Sequence, residues 1–133
     1  MRFVDSNVFI YVIDKHPKFG ETAKEILEKI RKGEEAAIST LAIEEVCVYL
    51  IKTGRREEIP TFIDAVRAYG TLLKRPYLFE DLITAKEMMS THRIGWNDLV
   101  MAAQMQREGI EEIYSNDVDF DRVPGIKRIF GQL

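Results

Sequence analysis

Arg2-Phe3-Val4-Asp5-Ser6-Asn7-Val8-Phe9-Ile10-Tyr11-Val12-Ile13 opens the chain, and its reading decides the architecture. Arg2-Phe3-Val4 reads as a short apolar strand that ends at Asp5. Ser6 and Asn7 are good helix-starting residues, so Val8 to Ile13 reads as a short buried helix. An acid set between two strongly apolar stretches is hard to explain by solubility alone. Asp5 is therefore a candidate functional residue from its position.

The same alternation continues along the chain. Ala23, Ile26, Leu27 and Ile30 recur at i, i+3, i+4, i+7, which predicts a helix over Gly20 to Gly33. Its other side carries the i,i+4 pairs Glu25–Lys29 and Glu28–Lys32. Ala36 to Ser39 reads as a second strand. Thr40 to Thr53 is apolar nearly all round, which predicts a buried helix. Ile59, Phe62, Ile63 and Val66 mark a further helix, with Pro60 near its first turn. Tyr77 to Phe79 is a strand candidate behind Pro76. Glu80 to Met89 reads as a helix with Leu82, Ala85 and Met89 inward. Asn97 to Arg107 is the next helix, stopped by Gly109. Ile113 to Ser115 reads as a strand ending in the polar turn Asn116-Asp117, and Ile126 to Phe130 as a last strand after Pro124-Gly125. Strands alternating with helices predict an α/β fold with a mostly parallel sheet covered on both faces.

A length of 133 residues fits one domain over 1–133. Hydrophobic residues, at 46%, suffice for a core. The formal charge of −3 is not that of a protein that coats nucleic acid by charge alone. A local groove can still accept a polyanion, since setting four site acids aside leaves the rest of the chain close to neutral. One cysteine, Cys47, excludes an internal disulfide and a multi-cysteine zinc site. Two histidines, His16 and His92, argue against a histidine-rich metal site. The apolar run Val8 to Ile13 is too short to span a membrane, and Asp5 interrupts any signal-peptide core. The expectation is a soluble cytoplasmic protein.

Most acids have an ordinary reading. Glu21, Glu25, Glu28, Glu34, Glu57 and Glu58 fall on predicted solvated faces. Asp5, Glu44 or Glu45, Asp98 and Asp117 do not. In a parallel sheet the carboxyl ends of the strands share one edge, where ligands bind. Asp5 ends the first strand, Asp117 follows the fourth, and Glu44 and Glu45 lie on the first turns after the second. Asp98 joins them if its helix starts at the same rim. Crowded acids repel one another, and some must protonate or bind a cation. An all-oxygen site without histidine or cysteine suits Mg²⁺ or Mn²⁺. Position alone leaves two residues open: Asp98 also suits a helix start, and Asp117 suits a turn. Periodicity does not choose between Glu44 and Glu45.

Other motifs fail. A calcium loop begun at Asp117 would put Arg122 where glycine is needed and Arg128 where glutamate is needed. No Walker loop or Gly-x-Gly-x-x-Gly is present. Cys47 reads as a structural thiol. Trp96, beside Asn97-Asp98, is open between a base-stacking role and a core or helix-edge aromatic.

Four segments together resemble the PIN-domain family, in particular its VapC-type toxins. They are Phe3-Val4-Asp5-Ser6-Asn7-Val8-Phe9; Ser39-Thr40 followed by four residues and Glu45; Trp96-Asn97-Asp98-Leu99-Val100-Met101-Ala102-Ala103; and Ser115-Asn116-Asp117-Val118-Asp119-Phe120. Arg122 to Ile126 is similar to the family's closing segment. The second spacing favours Glu45 over Glu44.

The resemblance implies a three-layer αβα PIN-like fold with a five-stranded parallel sheet flanked by helices. It implies Mg²⁺- or Mn²⁺-dependent hydrolysis of RNA phosphodiesters by Asp5, Glu45, Asp98 and Asp117. Of these, Asp5 and Asp98 would be direct metal ligands, Asp117 a direct or water-mediated one, and Glu45 would orient a water. Asp119 would be an accessory acid, while Asn7 and Ser115 would hydrogen-bond the carboxylates. It further implies a homodimer held inactive by a cognate antitoxin. The competing readings are a PIN nuclease of RNA processing outside any toxin pair, and a protein-binding module with a degenerate site.

Overall fold

The computed structural model describes residues 1–131; Gln132 and Leu133, the end of the expected domain, lie outside the described residues. Five strands form one sheet: β1 (Arg2–Val4), β2 (Ala36–Ser39), β3 (Leu72–Arg75), β4 (Glu112–Tyr114) and β5 (Lys127–Ile129). Six α-helices flank it: α1 (Ser6–Ile13), α2 (Gly20–Arg31), α3 (Thr40–Lys52), α4 (Ile59–Ala68), α5 (Phe79–Met88) and α6 (Trp96–Glu108). Short 3₁₀ turns cover Arg56–Glu58 and Val118–Arg122. The strand order is β3-β2-β1-β4-β5, and every pairing is parallel.

Winding runs from β1 outward to β3, then jumps back to β4 on the other side of β1. Right-handed crossovers then place α1–α4 on one face and α5–α6 on the other. The packing agrees, since α1 contacts α2 and α3, while α5 contacts α6. Strands covered on both faces become continuous apolar runs. Phe3, Val4, Ala36, Ala37, Ile38, Ile113 and Tyr114 are accordingly fully buried.

Four expectations need correction. The third strand is Leu72–Arg75, not Tyr77–Phe79, and Phe79 already begins α5. On this edge strand only Leu72 is buried, so neither an apolar run nor an alternation marks it. On α5 the inward methionine is Met88, while Met89 is exposed. Asp5 itself caps α1, leaving Ser6 inside the helix. Finally, α3 is not buried all round: Val48 and Ile51 are exposed. The enclosed helix is α6, buried from Leu99 to Met105, because the sheet core lies on one side of it and α5 on the other. Gly109 ends α6 in the left-handed conformation at φ 70°, where a Cβ would be strained.

Candidate active site

Strand order reverses between β1 and β4, and in open parallel sheets the ligand crevice lies at that switch point, outside the carboxyl ends. Asp5 follows β1 directly, and its N–H donates to the Tyr114 carbonyl of β4 at 2.9 Å. Ser115 follows β4 directly. The two residues therefore meet at the rim.

One hydroxyl ties this corner together. Ser115 Oγ donates to Asp5 Oδ2 at 2.6 Å and accepts from Asn7 Nδ2 at 3.3 Å and from the Asp117 N–H at 3.0 Å. One donor and two acceptor positions exhaust a serine hydroxyl. The other oxygen of Asp5 accepts the Ser6 N–H at 2.7 Å. Asp117 starts the 3₁₀ turn by accepting the Asp119 N–H at 2.9 Å. From the opposite layers, α3 contributes Glu45 and the first turn of α6 contributes Asp98. Asn97 Nδ2 bridges these two helices by donating to Glu45 Oε2 at 3.2 Å.

The result is an open cleft of about 490 Å³ lined by Asp5, Asn7, Glu45, Asp98 and Asp117, with Trp96 and Asn97 on one wall. Asp5 is 4% exposed. Carboxylate oxygens of Asp98, Asp117 and Asp119 lie within 4.8 Å of one another. Asp5 is not in that trio but shares its cleft. Ser115 is buried beneath it. Glu44 is exposed and faces a neighbouring depression between α1 and α3, so of the two glutamates Glu45 enters the cleft.

The electrostatics follow from this crowding. Burial raises the Asp5 carboxyl above its ordinary range, and the Asp117 charge adds to that, against the bonds from Ser115 and Ser6. Burial also raises Glu45, with the charges of Asp5 and Asp117 reinforcing it and the Asn97 bond opposing it. Asp98 is pushed up to about 8, first by burial, then by the charges of Asp5 and Asp117 and a side-chain hydrogen bond with Asp117. No lysine or arginine among the described residues pairs with these four acids.

In the cleft, Glu45 Oε1 and Asn7 Oδ1 are buried and have no hydrogen-bond partner among the described residues. A buried acceptor left so costs about 1–3 kcal/mol. Converging hard oxygens, orphaned acceptors and uncompensated negative charge fit a small divalent cation with some of its waters retained.

Sequence reasoning did not assign Ser6 and Asn97. Ser6 was visible only as a helix starter. Asn97 could have been found as a polar neighbour of Asp98 at the head of an apolar helix, but its partner is 52 residues away.

A model of the PIN domain matches residues 2–126. Ribonuclease VapC2 of Rickettsia felis is 25% identical over 127 residues, covering 92% of each chain. Ribonuclease VapC13 of Mycobacterium tuberculosis is 27% identical over 131 residues, covering 97% of this chain and 99% of its own. Among solved structures, Mycobacterium tuberculosis VapC20, described as a sarcin-ricin loop cleaving toxin, superposes with a TM-score of 0.81 at 18% identity over 98% of this chain and 99% of its own. VapBC2 from Rickettsia felis, bound to a promoter DNA fragment, gives 0.74 at 22% identity over 96% of each chain. No described helix is long and apolar enough to cross a membrane.

Proposed function

The chain belongs to the PIN-domain family, and from that premise we propose that it is a metal-dependent endoribonuclease acting as the toxin of a toxin–antitoxin pair. The observation that carries the reading is the convergence of Asp5, Glu45, Asp98 and Asp117 on one cleft with no lysine or arginine among its described lining residues. The names of the matched ribonucleases supply the substrate class.

Asp5, Asp98 and Asp117 would hold the cation, Mg²⁺ or Mn²⁺, with Asp119 as an accessory acid at the Asp98–Asp117 side. The chemistry such a cation would supply is neutralisation of charge on the scissile phosphate and a lowered pKa of a nearby water. Glu45 is the proton acceptor for that water. Its Oε1 is buried with no hydrogen-bond partner among the described residues, and burial raises its pKa above the ordinary carboxylate value. Asn97 fixes the Glu45 carboxylate through the other oxygen. Ser115 and Asn7 hold Asp5 and the Asp117 backbone in register, the supporting role that neutral polar neighbours play around a metal.

Purified protein incubated with end-labelled single-stranded and transfer RNAs, in Mg²⁺, Mn²⁺ or EDTA, tests this directly. Discrete cuts that need the metal and vanish in Asp98→Asn are expected. No cleavage together with no divalent-metal binding would favour the binding-module reading.

The partners follow the same reading: a cognate antitoxin, in keeping with the match to VapBC2, and a second copy of this chain. A small adjacent gene encoding a DNA-binding protein would separate the toxin from an RNA-processing nuclease. For the homodimer, Phe79 and Ile83, both exposed and one turn apart on α5, supply apolar surface to cover; sedimentation of the purified chain reads it.

A further inference from the structure

We propose that Trp96 is a stacking platform for an unpaired nucleobase next to the phosphate held in the acidic cleft; this rests on the nuclease reading above. Trp96 is the first residue of α6, two positions before Asp98, and it lines the cleft with Asn97 and Asp98. It is 43% exposed and belongs to neither apolar cluster. Among the described residues its ring stacks on no aromatic, lies under no cation, and its indole N–H meets no acceptor. The contrast with the other rings is sharp: Phe9, Tyr11, Phe19, Phe62, Tyr69 and Phe130 are locked edge-to-face or tilted against one another. Phe79 is also loose, but it lines no part of the cleft.

The cleft and the indole suit the two halves of a nucleotide. The acids, with their cation, take the phosphate. The neutral flat ring beside them takes the base, which carries no charge for the acids to repel. Every base has a π-face, so such a platform tolerates any sequence but requires a strand whose bases are free to splay out. A duplex hides those faces. The inference is therefore that the base flanking the cut is held against the Trp96 ring.

Trp96 is the only tryptophan in the chain, so intrinsic emission reports on this residue alone. The test titrates the whole protein, in Ca²⁺ to avoid paramagnetic quenching, with a short oligoadenylate and with an abasic ribose-phosphate oligomer of equal length. Saturable quenching by the first and none by the second is expected. Binding of both oligomers is followed in parallel by anisotropy of an end label. In cleavage assays Trp96→Ala raises KM for single-stranded RNA on the order of ten- to hundredfold, and Trp96→Phe recovers most of that loss. Circular dichroism confirms that each variant is folded.

Oligoadenylate that binds without changing the emission overturns the proposal, as does a folded Trp96→Ala with unaltered KM. If that variant cuts RNA normally but loses affinity for a partner protein, the indole serves a protein interface and the proposal is equally refuted. In these cases the wild type still cleaves, and the nuclease reading stands. If the wild type neither binds the oligomers nor cuts RNA in Mg²⁺, the nuclease reading has failed and the proposal falls with it.

Discussion

Replacing Asp98 by Asn should make the metal-free protein more stable, and by an amount that grows with pH. The Asp98 carboxyl titrates near 8 in the folded protein against an ordinary value of 3.8. Below the ordinary value both folded and unfolded chains are protonated and the residue is neutral in its effect. Above it the unfolded chain ionises freely while the folded chain holds its proton. Stability then falls with rising pH, by up to about 1.36 kcal/mol per unit, until the folded value is passed. The opposing attraction of the α6 N-terminus is worth only about 0.3–1 kcal/mol, so crowding wins. Water still reaches this part-buried group, and a working figure for the penalty is about 2 kcal/mol at neutral pH. At about 2.1 cal/mol/K per residue, that moves the Tm of a 133-residue chain by about 7 °C. Asn copies the shape of the protonated acid and keeps a donor for Asp117. Thermal unfolding of both proteins in EDTA should show Asp98→Asn ahead by about 7 °C near neutrality, narrowing to about 3 °C near pH 5 as the Asp98 penalty fades. Mn²⁺ at a hundredfold excess over its Kd should stabilise the wild type by about 2.7 kcal/mol and the variant far less. An advantage independent of pH, a variant less stable than wild type near neutrality, or a full Mn²⁺ shift in the variant would each refute the reasoning.

Glu45→Gln should retain the Mn²⁺ stabilisation while RNA cleavage falls about 10²- to 10⁴-fold, the range for a lost general base; single-turnover rates beside thermal shifts separate the two. Ser115→Ala strips the hydroxyl from Asp5, Asn7 and the Asp117 N–H. Urea unfolding should show a loss of about 1–3 kcal/mol along with weaker metal binding. Arg107→Met abandons the carboxylate of Asp81, which is 2% exposed and is held by two guanidinium bonds at 2.8 and 2.9 Å. It should cost about 3 kcal/mol and leave metal affinity per folded molecule unchanged, as calorimetry would show. Gly109→Ala forces a Cβ into the left-handed cap of α6 and should cost about 1 kcal/mol in the same urea experiment.

The sequence was most legible where burial is symmetric. Strands β1, β2 and β4 are covered on both faces, so Phe3-Val4, Ala36-Ala37-Ile38 and Ile113-Tyr114 stand out as apolar runs. Their carboxyl ends could then be placed at one rim before any geometry was known. Edge strand β3 offers only Leu72 to the core, and exposed Leu73, Lys74 and Arg75 carry neither an apolar run nor an alternation. Helices α3 and α6 misled in opposite directions. An apolar circumference on α3 ends with Val48 and Ile51 in solvent, whereas α6 buries even Gln104, whose amide donates to the Arg75 and Pro76 carbonyls and to Glu108. What surrounds a helix is a property of its neighbours, not of its own periodicity. Glu34 shows the same limit. Its helix-end position suggested a solvated charge, but both oxygens accept the Tyr114 hydroxyl, at 2.8 and 2.9 Å, and one meets Arg2. Those partners lie 80 and 32 residues away.

Two helix N-termini, those of α1 at Asp5 and α6 at Asp98, open on the acidic cleft. Their combined attraction amounts to about 1–2 kcal/mol at best, less than the cost of ionising the cluster. The fold therefore softens the repulsion without removing it, and what remains is carried as lost stability by the metal-free protein. A cation that binds only the folded chain recovers that loss, so the two quantities are linked. The strain that raises Asp98 and the metal affinity of the cleft are the same interaction measured from opposite sides. A substitution that relaxes the cluster by removing the charge of Asp5, Asp98 or Asp117 must weaken metal binding, while one that disturbs only the surrounding scaffold, such as Arg107→Met, must change stability without changing that affinity.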